Sequence, residues 1–271
     1  MSKTSIHHAY NDIVATHYDL DPQGLIGESL DRGIAQMKAE GFFDSDRELH
    51  VLDVGMGTGL FLDKLKKLAG DRVVPFGIDL ADNMLEVARR KMPDLEAIAG
   101  DASSLEDYFP GKDFDCVCTH FMTGYVGMNV LAPQIARRLK PGGYWSLIGG
   151  TKKAYSALQA KGDSKVLRWL SGVGSREMDD TVLNPADLAE VSKTMAAHGL
   201  EVRQGETFEP ALKFENFDTF MEFGYRGGWL TPLIESTGLH EAGPAKRWLI
   251  NRLMFPVRDA HNIVLALGQK P

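Results

Sequence analysis

The chain of 271 residues contains only two cysteines, Cys116 and Cys118, too few for a disulfide framework. They stand two apart in Phe114-Asp115-Cys116-Val117-Cys118. Strand alternation puts both on one face, where they read as small buried apolar residues of a protein kept reduced. No apolar run approaches the length of a membrane span, and Met1-Ser2-Lys3-Thr4-Ser5 lacks the apolar core of a signal segment. A cytoplasmic protein that uses no membrane is therefore expected. An excess of positive charge is missing too: 30 Lys and Arg face 37 Asp and Glu, for a net charge of −7. That balance argues against a broad polyanion-binding surface and so against nucleic acid as a partner. Five histidines, His7, His8, His198, His240 and His261, are too scattered in sequence to suggest a metal site. Neither a repeat nor a low-complexity tract occurs, and the length suits one large domain with a cap, as a monomer or homodimer.

What the chain does have is glycine in a particular place. Residues 51–59 read Val-Leu-Asp-Val-Gly-Met-Gly-Thr-Gly. Val51, Leu52 and Val54 form a strand, and Gly55, Gly57 and Gly59 turn it into the helical run that starts at Leu60. A strand entering a helix through glycines brings bare backbone N–H groups close to a ligand. In a dinucleotide fingerprint, G-x-G-x-x-G, the third glycine would fall at position 60, which is Leu60. The pattern is instead D-x-G-x-G-x-G, with Asp53 as the acid. It can hold an ammonium-carboxylate group such as the methionine end of S-adenosylmethionine.

Three more segments follow in order. Val73-Val74-Pro75-Phe76-Gly77-Ile78-Asp79 is a second strand ending in an acid, 24 residues after Gly55 and placed for ribose hydroxyls. Ala97-Ile98-Ala99-Gly100-Asp101-Ala102 ends a third strand at an acid. Arg138-Leu139-Lys140-Pro141-Gly142-Gly143 leads through a turn into a fifth strand from Tyr144 to Ile148. Taken together, these motifs resemble the class I S-adenosylmethionine-dependent methyltransferases, in particular the small-molecule branch with the ubiquinone and menaquinone C-methyltransferases. The likeness covers about residues 8–150 and the last strand.

The resemblance implies S-adenosylmethionine as cofactor and S-adenosylhomocysteine as product. Asp53, Gly55, Gly57 and Gly59 would hold the methionine portion, Asp79 the ribose, and Leu80 and Met84 the adenine faces. Asp101 would accept from the adenine amino group beside Ala102, and Thr119 would belong to the cofactor set. Tyr18 sits in a run, Tyr10 to Asp19, that resembles the helix closing over the cofactor. The end of the fourth strand, Thr119-His120-Phe121-Met122-Thr123-Gly124-Tyr125, usually faces the transferred methyl. It lacks the Asn/Asp-Pro-Pro-aromatic signature of amino methylation, the Pro-Cys nucleophile and a set of metal carboxylates. His120 is therefore the candidate general base, since unperturbed imidazole titrates near neutrality, with His17 the weaker alternative.

Alternating strands and helices predict a doubly wound, mostly parallel, seven-stranded Rossmann-like sheet. Strands are expected near 49–54, 73–78, 95–99, 113–119 and 143–149, with a sixth from Leu200 to Arg203 and a last one from Asn262 to Leu267. Residues 1–45 read as an N-terminal helical cover, 46–208 and 260–271 as the core, and 209–259 as a helical lid. Asn184 is the expected cap of a helix running to about His198. Phe214, Phe217, Phe220 and Phe223 recur every third residue as one helical face. Phe217, Tyr225 and Trp229, with Tyr125, are the candidate acceptor wall.

The reading that results is a metal-independent methyltransferase acting on a small, partly apolar metabolite at oxygen or carbon. Alternatives are methylation of a metabolite amine or of a carrier-bound acyl group, or a regulatory protein that binds the cofactor without turnover.

Overall fold

The computed structural model describes residues 7–162 and 183–271. Strand β1 (Leu49–Val54) is buried along nearly its whole length, which suits a central parallel strand covered on both faces. It pairs in parallel with β2 (Val73–Asp79) and β4 (Phe114–His120). Beyond these lie β3 (Glu96–Ala99) on one side and β5 (Leu139–Gly150) on the other, also parallel. β9 (Ile263–Gln269) runs antiparallel between β5 and β6 (Glu201–Phe208). The seven-stranded order is β3-β2-β1-β4-β5-β9-β6, which confirms the Rossmann-like expectation. The order reverses between β1 and β4, so the crevice at their carboxyl ends is the natural ligand position.

Helices α1 (Leu25–Ala39), α2 (Leu60–Ala69), α3 (Asp82–Lys91), α4 (Met128–Arg138), α5 (Ser156–Gly162) and α6 (Leu188–Ala197) pack around this sheet. Amphipathic spacing explains α2: Phe61, Leu62 and Leu65 are buried, while Lys66 and Lys67 meet the negative end of the dipole. Arg89, Arg90 and Lys91 do the same for α3. The cap of α6 is Asp187, whose side chain accepts from Glu190 N at 3.0 Å. Asn184 lies outside the helix, three residues too early. Cys116 and Cys118 are free and buried, their sulfurs 3.7 Å apart.

The segment between β6 and β9 is not purely helical. Ala211–Phe214 (β7) and Val257–Ala260 (β8) pair antiparallel, and α7 (Phe217–Met221), α8 (Thr231–Ser236) and α9 (Pro244–Met254) lie between them. Ala211-Leu212-Lys213-Phe214 alternates exposed and buried residues, a strand period that outweighs the three-residue spacing of the phenylalanines. Phe214 is thus a strand residue packed on Phe220 and Phe223. Phe217 turns away from them, under the Arg247 guanidinium of α9.

Ahead of α1, the N-terminal cover consists of a π-helical stretch, Ala9–Val14, and a short 3-10 turn, Tyr18–Leu20, rather than one amphipathic helix. Asp21 breaks it off in a left-handed conformation, φ 39°. Its carboxylate then accepts from Ile26 N at 3.1 Å and Gly27 N at 2.8 Å, capping α1.

Candidate functional site

The glycine turn after β1 is left-handed three times over, with φ of 71° at Gly55, 55° at Gly57 and 75° at Gly59. Side chains other than glycine resist this region. Gly55 N and Met56 N donate to Ile78 O at 2.7 and 3.0 Å, fastening the turn to β2. A Cβ on Gly55 would fall 2.0 Å from Met122 Sδ, so the β4 loop closes directly over the turn.

Two acids face this turn. Asp53 is 3% exposed, and its Oδ1 is buried with no hydrogen-bond partner. Burial, then the neighbouring charge of Asp79, pushes its carboxyl up to about 8. Asp79 ends β2 with Oδ2 accepting from Gly57 N at 2.7 Å and Oδ1 from Ala81 N at 2.9 Å. Burial raises its carboxyl too, against the pull of those N–H groups. Two buried carboxyls side by side, each raised by desolvation, describe a cleft suited to a cation. Asp101 follows β3, with Oδ1 accepting from Ser103 N at 2.8 Å and its own N donating to Tyr108 Oη at 2.9 Å. Met84 is fully buried among Val14, Ala15 and Ala81, and Ala102 is buried in a separate core cluster that includes Val54, Ile78 and Leu105. Leu80 is half-buried.

The cover is tied down over the turn. Asp19 accepts from Thr58 Oγ1 and pairs with Lys91, while Asn11 Oδ1 accepts from Asn83 N at 2.9 Å. The Tyr18 ring lies 3.8 Å from where a Cβ on Gly57 would stand. Burial first, then the charges of Tyr125, Asp53 and Asp79, raises the Tyr18 hydroxyl. Tyr10, which sequence reasoning did not single out, shares a 2.7 Å hydroxyl contact with Tyr125 and donates to Gly228 O at 3.1 Å. The cover, the β4 loop and the insertion therefore meet at these tyrosines.

Several expected site residues lie elsewhere or in other roles. Thr119 accepts from Trp145 Nε1 at 2.8 Å within the core, so its side chain is spent on the sheet. His120 shares Nε2 with Ser146 Oγ at 3.0 Å and stands edge-on to Phe61 at 4.3 Å. Burial lowers its ring to about 3, which makes it a poor proton acceptor near neutrality and argues against the base role. His17 lies at the outer turn of the cover, bonded to Thr16 Oγ1 at 2.8 Å and Ile13 O at 3.2 Å. Tyr225 stacks on His240 at 5.3 Å and is raised by burial and by Glu235, away from the tyrosine cluster. Trp229 stands against Phe121 at 5.0 Å and Phe223 at 5.6 Å. It also meets His261 at 5.1 Å, and His261 meets Tyr155 at 4.6 Å. Neither His261 nor Tyr155 was legible as a site residue; the one available signal was a histidine immediately before the last strand. Among the described residues, no three His, Cys, Asp or Glu side chains are grouped to hold a metal.

Comparison with known proteins agrees with this geometry. Residues 51–143 match the family model of a methyltransferase domain. The demethylmenaquinone methyltransferase of Chlorobaculum tepidum is 30% identical over 144 residues, 52% of this chain and 58% of that protein. A dTDP-3-amino-3,4,6-trideoxy-alpha-D-glucopyranose N,N-dimethyltransferase of Streptomyces venezuelae is 33% identical over 98 residues, covering 34% of this chain and 39% of the relative. The chain thus spans little more than half the length of the first of these relatives and less of the second. Among solved structures, the YcgJ protein of Bacillus subtilis superposes with a TM-score of 0.58 at 20% identity, over 90% of this chain and 98% of that one. Phosphoethanolamine N-methyltransferase 2 of Haemonchus contortus, solved with S-adenosylhomocysteine, gives 0.51 at 19% identity over 89% and 52%. These structural likenesses carry the fold.

Proposed function

We propose that this chain, a class I S-adenosylmethionine-dependent methyltransferase by its fold and its methyltransferase domain, methylates a small, partly apolar metabolite at oxygen or carbon without a metal. The observation that carries the cofactor assignment is Asp53, whose buried Oδ1 lacks a partner beside a turn of three left-handed glycines. An ammonium group there would satisfy the orphan oxygen and let the carboxyl ionise, a charge-assisted contact that water does not offer.

S-adenosylmethionine, when bound, supplies an electrophilic methyl on a sulfonium. The chain's own residues then do the positioning. Asp53 holds the ammonium of the amino-acid end, and Gly55, Gly57 and Gly59, with no side chains, leave room for it against the turn. Asp79 keeps acceptor capacity beyond its two backbone bonds for the ribose hydroxyls. Leu80 and Met84 flank the adenine, with Asp101 and Ala102 at its edge. Tyr18 closes the cleft against water, and Tyr125 with Trp229 faces the acceptor. Orientation in a dry site is the main catalytic contribution this arrangement offers.

Calorimetry with S-adenosylhomocysteine should give micromolar binding and NADH negligible heat. Asp79→Ala should weaken the former by about 1–3 kcal/mol, and turnover should survive chelator. Tight nicotinamide binding with no response to S-adenosylhomocysteine would overturn the assignment.

A further inference from the structure

Beyond the cofactor cleft, the described residues hold a second group of buried polar atoms without partners. Tyr155 Oη and both ring nitrogens of His261 make no hydrogen bond, and the two residues are only 6% and 4% exposed. Buried hydroxyl and imidazole groups are normally paired, so three orphan atoms on two touching rings mark a place built for a ligand's polar group. The backbone points the same way. Tyr155 and Phe121 are non-glycine residues held left-handed, φ 59° and 57°, a strain that proteins keep at functional sites. Asp259 keeps Tyr155 in place by accepting from Ala157 N at 3.1 Å and Leu158 N at 2.7 Å, while Tyr155 N donates to Ala260 O at 3.0 Å. Gly150 lets the imidazole come close: a Cβ there would stand 2.8 Å from His261 Nε2.

The surroundings define the ligand. Phe121, Phe223 and Trp229 join Tyr155 and His261 in a continuous aromatic wall. Burial holds the imidazole neutral, and a neutral imidazole presents one donor and one acceptor nitrogen. The carboxylate of Asp259 is engaged with backbone N–H groups, so it does not offer itself to a cation. The wall reaches the tyrosine cluster through Gly228, the neighbour of Trp229, whose carbonyl accepts from Tyr10 Oη at 3.1 Å, while Tyr10 Oη meets Tyr125 Oη at 2.7 Å.

We propose that Tyr155 and His261 form the acceptor subsite, binding the hydroxyl of an uncharged, planar aromatic compound between them, with the rings of Trp229 and Phe223 against its face. The hydroxyl donates to an imidazole nitrogen and accepts from Tyr155. The subsite's role as the methyl acceptor's seat rests on the methyltransferase reading; its ligand preference does not.

The test is calorimetric titration of the full chain, with and without saturating S-adenosylhomocysteine, using 2-naphthol, naphthalene, 2-naphthoate and 2-(aminomethyl)naphthalene as probes. Expected is a preference for 2-naphthol over the other three by about 10-fold or more. Tyr155→Phe, which removes one oxygen, and His261→Ala should each weaken 2-naphthol by about 5–50-fold while leaving naphthalene and S-adenosylhomocysteine unchanged. His261→Gln, which restores one donor and one acceptor, should recover part of the loss. Equal binding of naphthol and naphthalene, preference for the charged probes, or an unchanged naphthol affinity in Tyr155→Phe would overturn the proposal. Loss of S-adenosylhomocysteine binding alone, with the naphthol pattern intact, would instead overturn the donor assignment and leave the subsite standing.

Discussion

Replacing Asp53 by Asn should make the ligand-free protein more stable and the liganded protein weaker, in a pH-dependent way that follows from one carboxyl. In the folded chain Asp53 is pushed up to about 8, from an ordinary 3.8. A folded-state value above the unfolded one means that the native state binds the proton more tightly. Stability from this group is therefore full below about 3.8 and is lost progressively as pH rises toward about 8. At 1.36 kcal/mol per pH unit, the loss by neutral pH has a ceiling of about 4 kcal/mol; relaxation and water entry around Asp79 reduce it to roughly 1–3 kcal/mol. Asn is nearly isosteric with the protonated acid and does not titrate. Asp53→Asn should then melt about 3–10 °C above the parent at pH 7–8 and no differently near pH 4. Thermal melts from pH 4 to 8 measure this, and the difference between the two proteins cancels the titrating groups that do not interact with Asp53, leaving Asp53 and its neighbour Asp79. With S-adenosylhomocysteine the order should reverse: the variant should bind about 10–100-fold more weakly. Binding to the parent at pH 7 should also release a proton, seen as a binding enthalpy that varies with buffer. A variant that melts below the parent across pH 6–8, together with buffer-independent binding heats, would refute the reasoning.

Gly55→Ala forces a Cβ into a left-handed turn and onto Met122 Sδ, 2.0 Å away. Chemical denaturation should show a loss of about 1–3 kcal/mol, with cofactor binding reduced more than stability predicts. Lys91→Met removes the ion pair that Asp19 makes from the cover. Since the pair is partly exposed, global stability should change by less than about 1 kcal/mol, while amide exchange over residues 9–20 and cofactor dissociation should both quicken; unchanged exchange would show that the cover is held by its tyrosines alone.

Much of the core could be read directly because its signals are local. Gly55, Gly57 and Gly59 punctuate a strand–helix junction, and buried runs such as Val51 to Val54 declare central strands wherever the chain folds. Asp53 and Asp79 follow from position relative to that punctuation. What was hidden depends on contacts between distant segments. Tyr155 and His261 meet across a separation of 106 positions in the chain, and no periodicity marks either. Phe217 and Tyr225 show the converse: aromatic character in the insertion marks both, and spacing marks Phe217, as apolar wall residues, yet Phe217 lies under Arg247 of α9 and Tyr225 stacks on His240. His120 sits where a base is useful, but the same burial that puts it there lowers its basicity. The irregular amphipathic helix expected over the N-terminal run divides into a wider π-helical stretch, Ala9–Val14, and a tighter turn, Tyr18–Leu20, where Asp19 is tied to Thr58 and Lys91.

The position of β9 bears on how this molecule is made. The last strand lies between β5 and β6 and pairs with both, so β6 joins the sheet only through residues that leave the ribosome after it. Until Ile263–Gln269 arrives, β5 presents an open edge and β6 has no neighbour. The half from β1 to β5, built from near-neighbour βα units, can assemble first, whereas the half with β6 and β9 waits on contacts between strands far apart in sequence. Mutations that slow the insertion's folding should therefore appear first as aggregation during expression, through the exposed edge of β5, before any loss of activity in the purified protein.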